Sequence, residues 1–260
     1  MIKKFLRYVV AFGLTTFVTV GGLSGSKAYS DIISCDSGCS LQYLIDNPDK
    51  TIQVGDKLFS NFYASSTAYN TTPVVLDAVI VTPRTDPNGQ YGHTEYGLSF
   101  QLPFGSTVTA DQGKDLQLAF AVTTTFKDAR IIDDYLSFSG YAVGGGQIDI
   151  SEIVTDENGN YVNSLAVWMD YVNNVLSART VDSGLFAPQD ILWIAKDVHW
   201  EAELTCSGSD SGCADRAFIS DFTQMFSQLP PRDVPEPTSM LLLGLGLAGL
   251  GIVRRKQSTK

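Results

Sequence analysis

Alternating hydrophobicity is the feature of this sequence that most restricts its fold. Between residues 116 and 122, large apolar side chains recur at every second position, at Leu116, Leu118, Phe120 and Val122. A β-strand sends successive side chains to opposite faces, so these four side chains share one face of a sheet. That face must be covered by other apolar side chains, which indicates a layered β structure.

Similar apolar runs recur through the chain and are separated by residues that favour turns. The runs cover residues 58–63, 74–81, 96–102, 131–142, 147–155, 161–169, 191–204 and 216–226. The turn-forming segments include residues 86–89, 144–146 and 158–159. About nine strands without a long helix between them predict an all-β, antiparallel two-sheet sandwich of jelly-roll or immunoglobulin-like type.

Two local motifs refine this expectation. Asn158 and Gly159 both tolerate positive φ, so they predict a tight two-residue primed turn that joins 148–155 to 161–167 in a hairpin. Residues 40–45 predict a short N-terminal helix that begins with a serine cap and ends before Pro48.

Both ends of the chain have the composition of targeting segments. Positive charge in the first seven residues precedes an apolar run at 8–20, and small side chains at Ser26 and Ala28 fit a cleavage site. We expect a signal peptide at 1–28, removed by signal peptidase. A β-sandwich domain at 29–228, a Pro-rich spacer at 229–237 and a hydrophobic helix with a basic tail at 238–260 then complete the chain.

The segment between these ends is strongly acidic. From Asp31 to Glu236 there are 28 acidic residues against ten basic ones, which leaves a net charge of −18. Such a surface repels the phosphates of nucleic acids and anionic headgroups. We therefore expect no nucleic-acid partner, and a domain that is soluble once exported.

The cysteines suit an oxidising compartment. They form two local pairs in the sequence, namely Cys35 with Cys39 and Cys206 with Cys213. A Gly, Ser and Asp-rich loop separates the second pair, so a disulfide there would close a hairpin tip, although four cysteines allow three connectivities. Zinc is disfavoured, because neither His93 nor His199 has ligand spacing from a cysteine pair.

Catalytic motifs are scarce in this sequence. It has no Gly-x-Ser-x-Gly elbow and no His-Glu-x-x-His, and it contains two histidines. We expect a non-enzymatic protein without a cofactor or a metal ion. A secreted glycoside hydrolase is the less favoured alternative, since it needs two carboxylates that converge in a cleft.

Three groups of residues could still bind something. In the run at 197–204, alternation sends Val198, Trp200, Ala202 and Leu204 inward and leaves His199 beside Glu201 and Glu203 on the outer face. These outer side chains could share a metal ion, but a solvated outer face is the favoured interpretation. Residues 156–160 are rich in oxygen ligands but fit a hairpin turn better than a calcium loop. The three tryptophans, Trp168, Trp193 and Trp200, could stack on sugars or fill the core.

The C-terminal tail argues against a dinucleotide-binding site and against a permanent membrane anchor. The glycines at 244–249 spell a dinucleotide fingerprint, but no acidic residue follows and the chain stops eleven residues later. Residues 239–253 carry no charge and would form a helix of ~22 Å. That length is short for a permanent anchor in a hydrocarbon core of ~30 Å.

The order of parts in this tail identifies a family resemblance. Pro235, Glu236 and Pro237 precede the apolar segment, and Arg254, Arg255 and Lys256 follow it. This arrangement resembles the PEP-CTERM sorting signal of exported proteins from Gram-negative bacteria.

The resemblance implies recognition by an exosortase, a membrane cysteine protease that cuts such tails after transient anchoring in the inner membrane. It also implies a cell-surface or extracellular product, associated with exopolysaccharide and biofilm matrix. A carbohydrate-binding module that retains exopolysaccharide is the alternative function for the sandwich.

Overall fold

Within the residues that the structure describes, sixteen strands are arranged in two sheets. The computed structural model describes residues 31–103, 106–126, 129–172, 175–204 and 215–229. The signal peptide and the C-terminal segment expected from the sequence lie outside these ranges, as does the Pro-rich spacer apart from its first residue, Leu229.

The first sheet contains eight strands. Their spatial order is β1 (Asp31–Ile33), β3 (Lys50–Val54), β4 (Lys57–Tyr69), β8 (Gln112–Thr124), β14 (Ile191–Ala202), β10 (Gly146–Thr155), β11 (Tyr161–Val172) and β12 (Val175–Arg179). Pairing between β1 and β3 is parallel, and every other described pairing is antiparallel. Strands β4, β8, β14 and β10, which are distant in sequence, therefore lie side by side in this sheet.

The second sheet packs against the first. Its order is β13 (Val181–Gln189), β9 (Arg130–Val143), β15 (Arg216–Phe226), β6 (Glu95–Gln101), β5 (Ile80–Asp86) and β2 (Cys39–Ser40), with β16 (Gln228–Leu229) added to β9 and β7 (Val108–Thr109) added to β15. The predicted all-β, two-sheet sandwich is confirmed at this level.

Aromatic rings join the two sheets in the core. Phe120 of β8 lies 5.9 Å, between ring centroids, from Phe100 of β6. Phe100 in turn stacks on Phe222 of β15 at 4.9 Å. Leu116, Leu118, Phe120 and Val122 are all buried, as the alternation predicted. Packing of such rings contributes beyond the burial of their area, so this contact fixes how the sheets face each other.

A short helix and a disulfide close one end of the sandwich. Helix α1 (Leu41–Asp46) begins at Ser40, whose hydroxyl accepts a hydrogen bond from the backbone N–H of Tyr43 at 3.1 Å. Cys35 and Cys39 form a disulfide just before the helix. Cys206 and Cys213 lie outside the described residues, so the disulfide expected there stays a prediction.

The hairpin between β10 and β11 differs from the expected two-residue turn. The strands pair as predicted, but five residues, 156–160, connect them. Gly159 has a φ of 79°, whereas Asn158 is not among the residues with positive φ. The Asp156 carboxylate accepts hydrogen bonds from the backbone N–H groups of Asn158 and Asn160 at 2.8 Å. These bonds stabilise a longer loop than the predicted turn.

Two other predictions of strand position were wrong. The apolar run at 74–81 forms a strand only from Ile80, because Val74 and Val79 are buried without ladder pairing and a 3₁₀ turn (Leu76–Ala78) lies between them. Leu204 is 68% exposed, since β14 ends at Ala202 and the alternation ends with it.

Candidate functional site

The outer face of the first sheet holds the most concentrated group of functional side chains. Register across the sheet places His199 of β14 directly between Asp115 of β8 and Asp149 of β10. Glu201 lies two residues further along β14, on the same outer face. We call the residues Asp115, His199, Glu201 and Asp149 the acidic row. Antiparallel pairing creates this row, because its members come from three separate parts of the sequence.

Hydrogen bonds hold the His199 ring from both sides. Its Nδ1 lies 2.7 Å from Asp115 Oδ1, and its Nε2 lies 3.5 Å from Glu201 Oε2. The Tyr69 hydroxyl donates to the same Glu201 oxygen at 3.0 Å. A chain of contacts therefore runs from Tyr69 through Glu201 and His199 to Asp115.

This environment determines the charge of His199. Burial alone would lower its pKa, but the hydrogen bonds with Asp115 and Glu201 outweigh burial and raise the pKa to about 10. The hydrogen bond from His199 correspondingly lowers the pKa of Glu201. His199 is therefore an imidazolium at neutral pH, and its charge is balanced by two carboxylates.

An imidazolium has no free lone pair, which limits the chemistry of the acidic row. It neither ligates a metal ion nor accepts a proton as a general base. Within the described ranges, no group of three His, Cys, Asp or Glu side chains is placed to hold a metal ion. Glu203, which the sequence placed beside His199, follows the end of β14. The solvated outer face that the sequence favoured over a metal site stays a prediction.

Replacing Asp115 by asparagine should destabilise the protein in a pH-dependent way. The raised pKa means that the ion pair contributes its full stability below the unfolded pKa of ~6.5 and loses it as the pH rises through about 10. We expect a loss of about 1 kcal/mol at pH ~6, near the upper end for a partly exposed pair. Urea unfolding of the wild-type and Asp115→Asn proteins across this pH range measures the loss of stability. A loss that is equal at low and high pH would contradict the ion pair between Asp115 and His199.

A second part of the same face is aromatic. Trp193 of β14 points outward between Ala121 and Thr155 of the adjacent strands, and Tyr161 pairs with Thr155 on the next strand. In the neighbouring row, Tyr63 and Ile153 are 53% and 47% exposed and are separated by two alanines. We call Tyr63, Ile153, Tyr161 and Trp193 the aromatic strip.

A backbone bulge and small neighbouring side chains explain why the aromatic strip is exposed. Asn61 has a φ of 55° and forms a bulge, which keeps Phe59 and Phe62 buried and turns Tyr63 outward. The alanines beside the strip are small, so the rings rise above the sheet surface. Sequence alone indicated the tryptophans but missed Tyr63, because the bulge shifts the alternation by one residue.

The three tryptophans have different environments. Trp200 is fully buried, and its Nε1 donates to the carbonyl oxygen of Ser106 at 2.6 Å. Trp193 and Trp168 are half-buried and lie on the outer face of the first sheet. The rings that could stack on a sugar are therefore those of two tryptophans rather than three.

The sorting residues expected at the C-terminus lie outside the described residues. They are Pro235, Glu236, Pro237, Arg254, Arg255 and Lys256. Within the described part of the chain, no helix combines the length and apolar character required to cross a membrane.

Comparison with solved structures gives remote similarities, three of which each cover 65% of this chain. The enzymatically active domain of bacteriophage CBA120 tailspike protein 4 is 13% identical with a TM-score of 0.27, and the match covers 20% of it. A carbohydrate-binding module of the β-sandwich superfamily is 10% identical with a TM-score of 0.22 over 57% of its length. Arabinose-bound MgGH51 α-L-arabinofuranosidase is 10% identical with a TM-score of 0.23 over 23% of its length. Scores this low carry no functional argument.

Sequence comparison gives a local result. No curated protein matches the chain. A family model for the PEP-CTERM protein-sorting motif matches residues 233–256, which include both the Pro-Glu-Pro tripeptide and the basic cluster. The chain is therefore an exported protein that carries a PEP-CTERM protein-sorting motif.

Proposed function

We propose that this protein is a non-enzymatic component of the cell surface or extracellular matrix, delivered there by an exosortase. The sorting motif at residues 233–256 carries the proposal. Its three parts have separate physical roles. The Pro-Glu-Pro tripeptide supplies the recognition sequence, the apolar segment holds the tail in the inner membrane, and the basic cluster stays on the cytoplasmic side.

The properties of the body support this destination. Signal peptidase would release it from residues 1–28, and its net charge of −18 keeps it soluble and apart from anionic membrane surfaces. The Cys35–Cys39 disulfide is the kind of bond that persists outside the cytoplasm. The sandwich is then left outside the cell when the tail is removed.

Processing should be visible in the mass of the mature protein. In a host that has the matching exosortase, we expect the surface-released chain to lack the residues beyond the Pro235 region. Glu236→Gln should keep the tail and leave the protein in the membrane fraction. Glu157→Gln, the same chemical change in an exposed hairpin, is the matched control and should be processed normally. A full-length C-terminus on mature wild-type protein would contradict the proposal.

A carbohydrate-binding role for the sandwich is a second candidate, favoured by the aromatic strip. Its rings are presented on an open sheet face, with Tyr161 67% exposed and Tyr63 53% exposed. Flat rings of this kind stack on the apolar faces of sugars, and the adjacent acidic row offers acceptors for sugar hydroxyls. The ligand class is exopolysaccharide, which would retain the protein in the matrix.

Binding to polysaccharide should depend on Trp193. We expect Trp193→Ala to weaken retention on an affinity gel that contains the host's exopolysaccharide by about tenfold, the equivalent of one stacking contact. Tyr141→Ala is the control, because Tyr141 is 42% exposed on the other sheet. Equal retention of wild type and Trp193→Ala would exclude the strip as a sugar site and leave the sorting proposal intact.

A further inference from the structure

Three polar side chains from three strands meet in the core between the sheets. Lys196 of β14 and Glu152 of β10 are paired in register within the first sheet. Gln224 reaches them from β15 of the second sheet. All three residues are buried, with 4%, 1% and 0% of their surface exposed. Amine, carboxyl and amide groups are thus enclosed together, with the buried carboxyl of Asp134 nearby.

The three groups form a closed set of contacts. Lys196 Nζ contacts Glu152 Oε2 and lies 2.5 Å from Gln224 Oε1. Gln224 Nε2 donates to Glu152 Oε1 at 3.2 Å. A carbonyl bond is ~1.23 Å long, so the amine nitrogen lies at most about 3.7 Å from the amide carbon Cδ. That separation approaches the ~3–3.5 Å of a near-attack geometry.

Burial also sets the reactivity of the amine. Desolvation holds the pKa of Lys196 well below its usual range, and the nearby Asp134 opposes this effect only in part. A neutral amine has the lone pair that a nucleophile requires. Water is excluded from the site, so neither hydration of the amine nor hydrolysis of a product competes.

We propose that Lys196 and Gln224 form an intramolecular isopeptide bond that links the two sheets covalently. The Lys196 Nζ lone pair attacks Gln224 Cδ, and a new C–N bond forms. The bond from Cδ to Nε2 breaks, and Nε2 leaves as ammonia. Glu152 contacts both nitrogens, so it takes one proton from the amine and delivers it to the leaving nitrogen. The reaction requires no oxidant, reductant or enzyme.

Such a bond would suit an exported protein. It joins residues 28 positions apart on opposite sheets, between strands β14 and β15. Unlike a disulfide, an amide does not depend on the redox state of the surroundings. The inference concerns the folded body alone and stands whether or not the tail is processed.

A second lysine provides an internal comparison. Lys57 Nζ, also buried, lies 2.5 Å from Asp56 Oδ1 and 3.2 Å from Gln228 Oε1. Gln228 is partly exposed, so water reaches its amide. A lysine, a glutamine and a carboxylate are therefore also present here, in a wetter site with a longer contact, and we expect no cross-link between Lys57 and Gln228.

Mass spectrometry of the folded wild-type chain tests the proposal directly. The denatured intact protein should be lighter than its sequence by one ammonia, after disulfides and processing are counted. A proteolytic digest should contain one branched peptide that joins Lys196 to Gln224. Loss of one water with Lys196 joined to Glu152 would overturn the assignment to Gln224. Unmodified peptides for both residues would overturn the proposal altogether.

Variants and timing test the role of Glu152. Glu152→Gln keeps the size of the side chain but removes its proton transfer, so the cross-linked fraction should fall at least tenfold. Glu157→Gln is the exposed control and should cross-link fully. Wild-type chains that have never folded, recovered from inclusion bodies in denaturant, should lack the bond and acquire it on refolding, which keeps the test valid if Glu152→Gln fails to fold. Complete cross-linking of folded Glu152→Gln would exclude Glu152 as the proton carrier.

Discussion

Trp200→Ala is expected to lower the free energy of unfolding by about 3–5 kcal/mol. The indole is completely buried in β14 and belongs to the core that joins the two sheets. Truncation leaves a cavity, which adds to the lost transfer free energy of the ring. It also leaves the carbonyl oxygen of Ser106 without the indole N–H donor that now lies 2.6 Å away. Equilibrium unfolding in guanidinium chloride measures the loss.

Trp193 provides the matched control for this experiment. It is the same residue type on the same strand, but it points to the outer face, where it is half-buried. We expect Trp193→Ala to cost only about 1 kcal/mol, since solvent fills the space that the ring leaves. Equal losses for the two variants would mean that the faces of β14 have been assigned wrongly.

The faces of the central strands were predictable from sequence because each has one buried and one solvated side. In β14, alternation correctly sent Val198, Trp200 and Ala202 inward. Lys196 obeys the same period and is also buried, although its charge gives no hint of an inward position. Its partners Glu152 and Gln224 lie 44 and 28 positions away. Periodicity predicts which face a residue occupies, but only the strand order shows what it meets there.

The edge strands were missed for a different physical reason. All five residues of β12 are exposed, so this strand has no buried face to generate an alternating pattern. Strand β2 has only two residues, too few to show a period. Conversely, the run at 74–81 is apolar because Val74 and Val79 are buried as a loop, without forming a ladder. An apolar run indicates that its residues are buried. It indicates a strand only where those residues also pair with a neighbouring strand.

The acidic row shows how far sequence can predict a site. Alternation placed His199 and Glu201 on one outer face, which the structure confirms. Asp115 could not be assigned to them, because it reaches His199 through pairing of β8 with β14 across 84 positions. Its carboxylate completes the environment that keeps the imidazole charged. Asp115, which has the largest influence on the charge of His199, could therefore be assigned to the site only from the strand order.

Gly97→Ala should be the most disruptive small substitution in the second sheet. Gly97 lies on β6 opposite Met225 of β15. An added Cβ would overlap the carbonyl oxygen of Gln224 and lie 2.8 Å from Met225 Cα. Both are backbone atoms of a central strand, so no side-chain rotation relieves the overlap. We expect a loss of about 3 kcal/mol or more in the free energy of unfolding, the upper range for overpacking.

Gly92→Ala separates this overlap from the ordinary cost of replacing a glycine. Gly92 has a φ of 76° and no atom within 4 Å of an added Cβ, so its substitution should cost about 1 to 2 kcal/mol through backbone strain alone. Chemical denaturation of the two variants compares them, and equal losses would show that β6 and β15 do not approach as closely as described. The comparison also bears on the proposed cross-link. Any shift of β15 away from β6 moves Gln224, so Gly97→Ala should reduce the cross-linked fraction while Gly92→Ala leaves it unchanged.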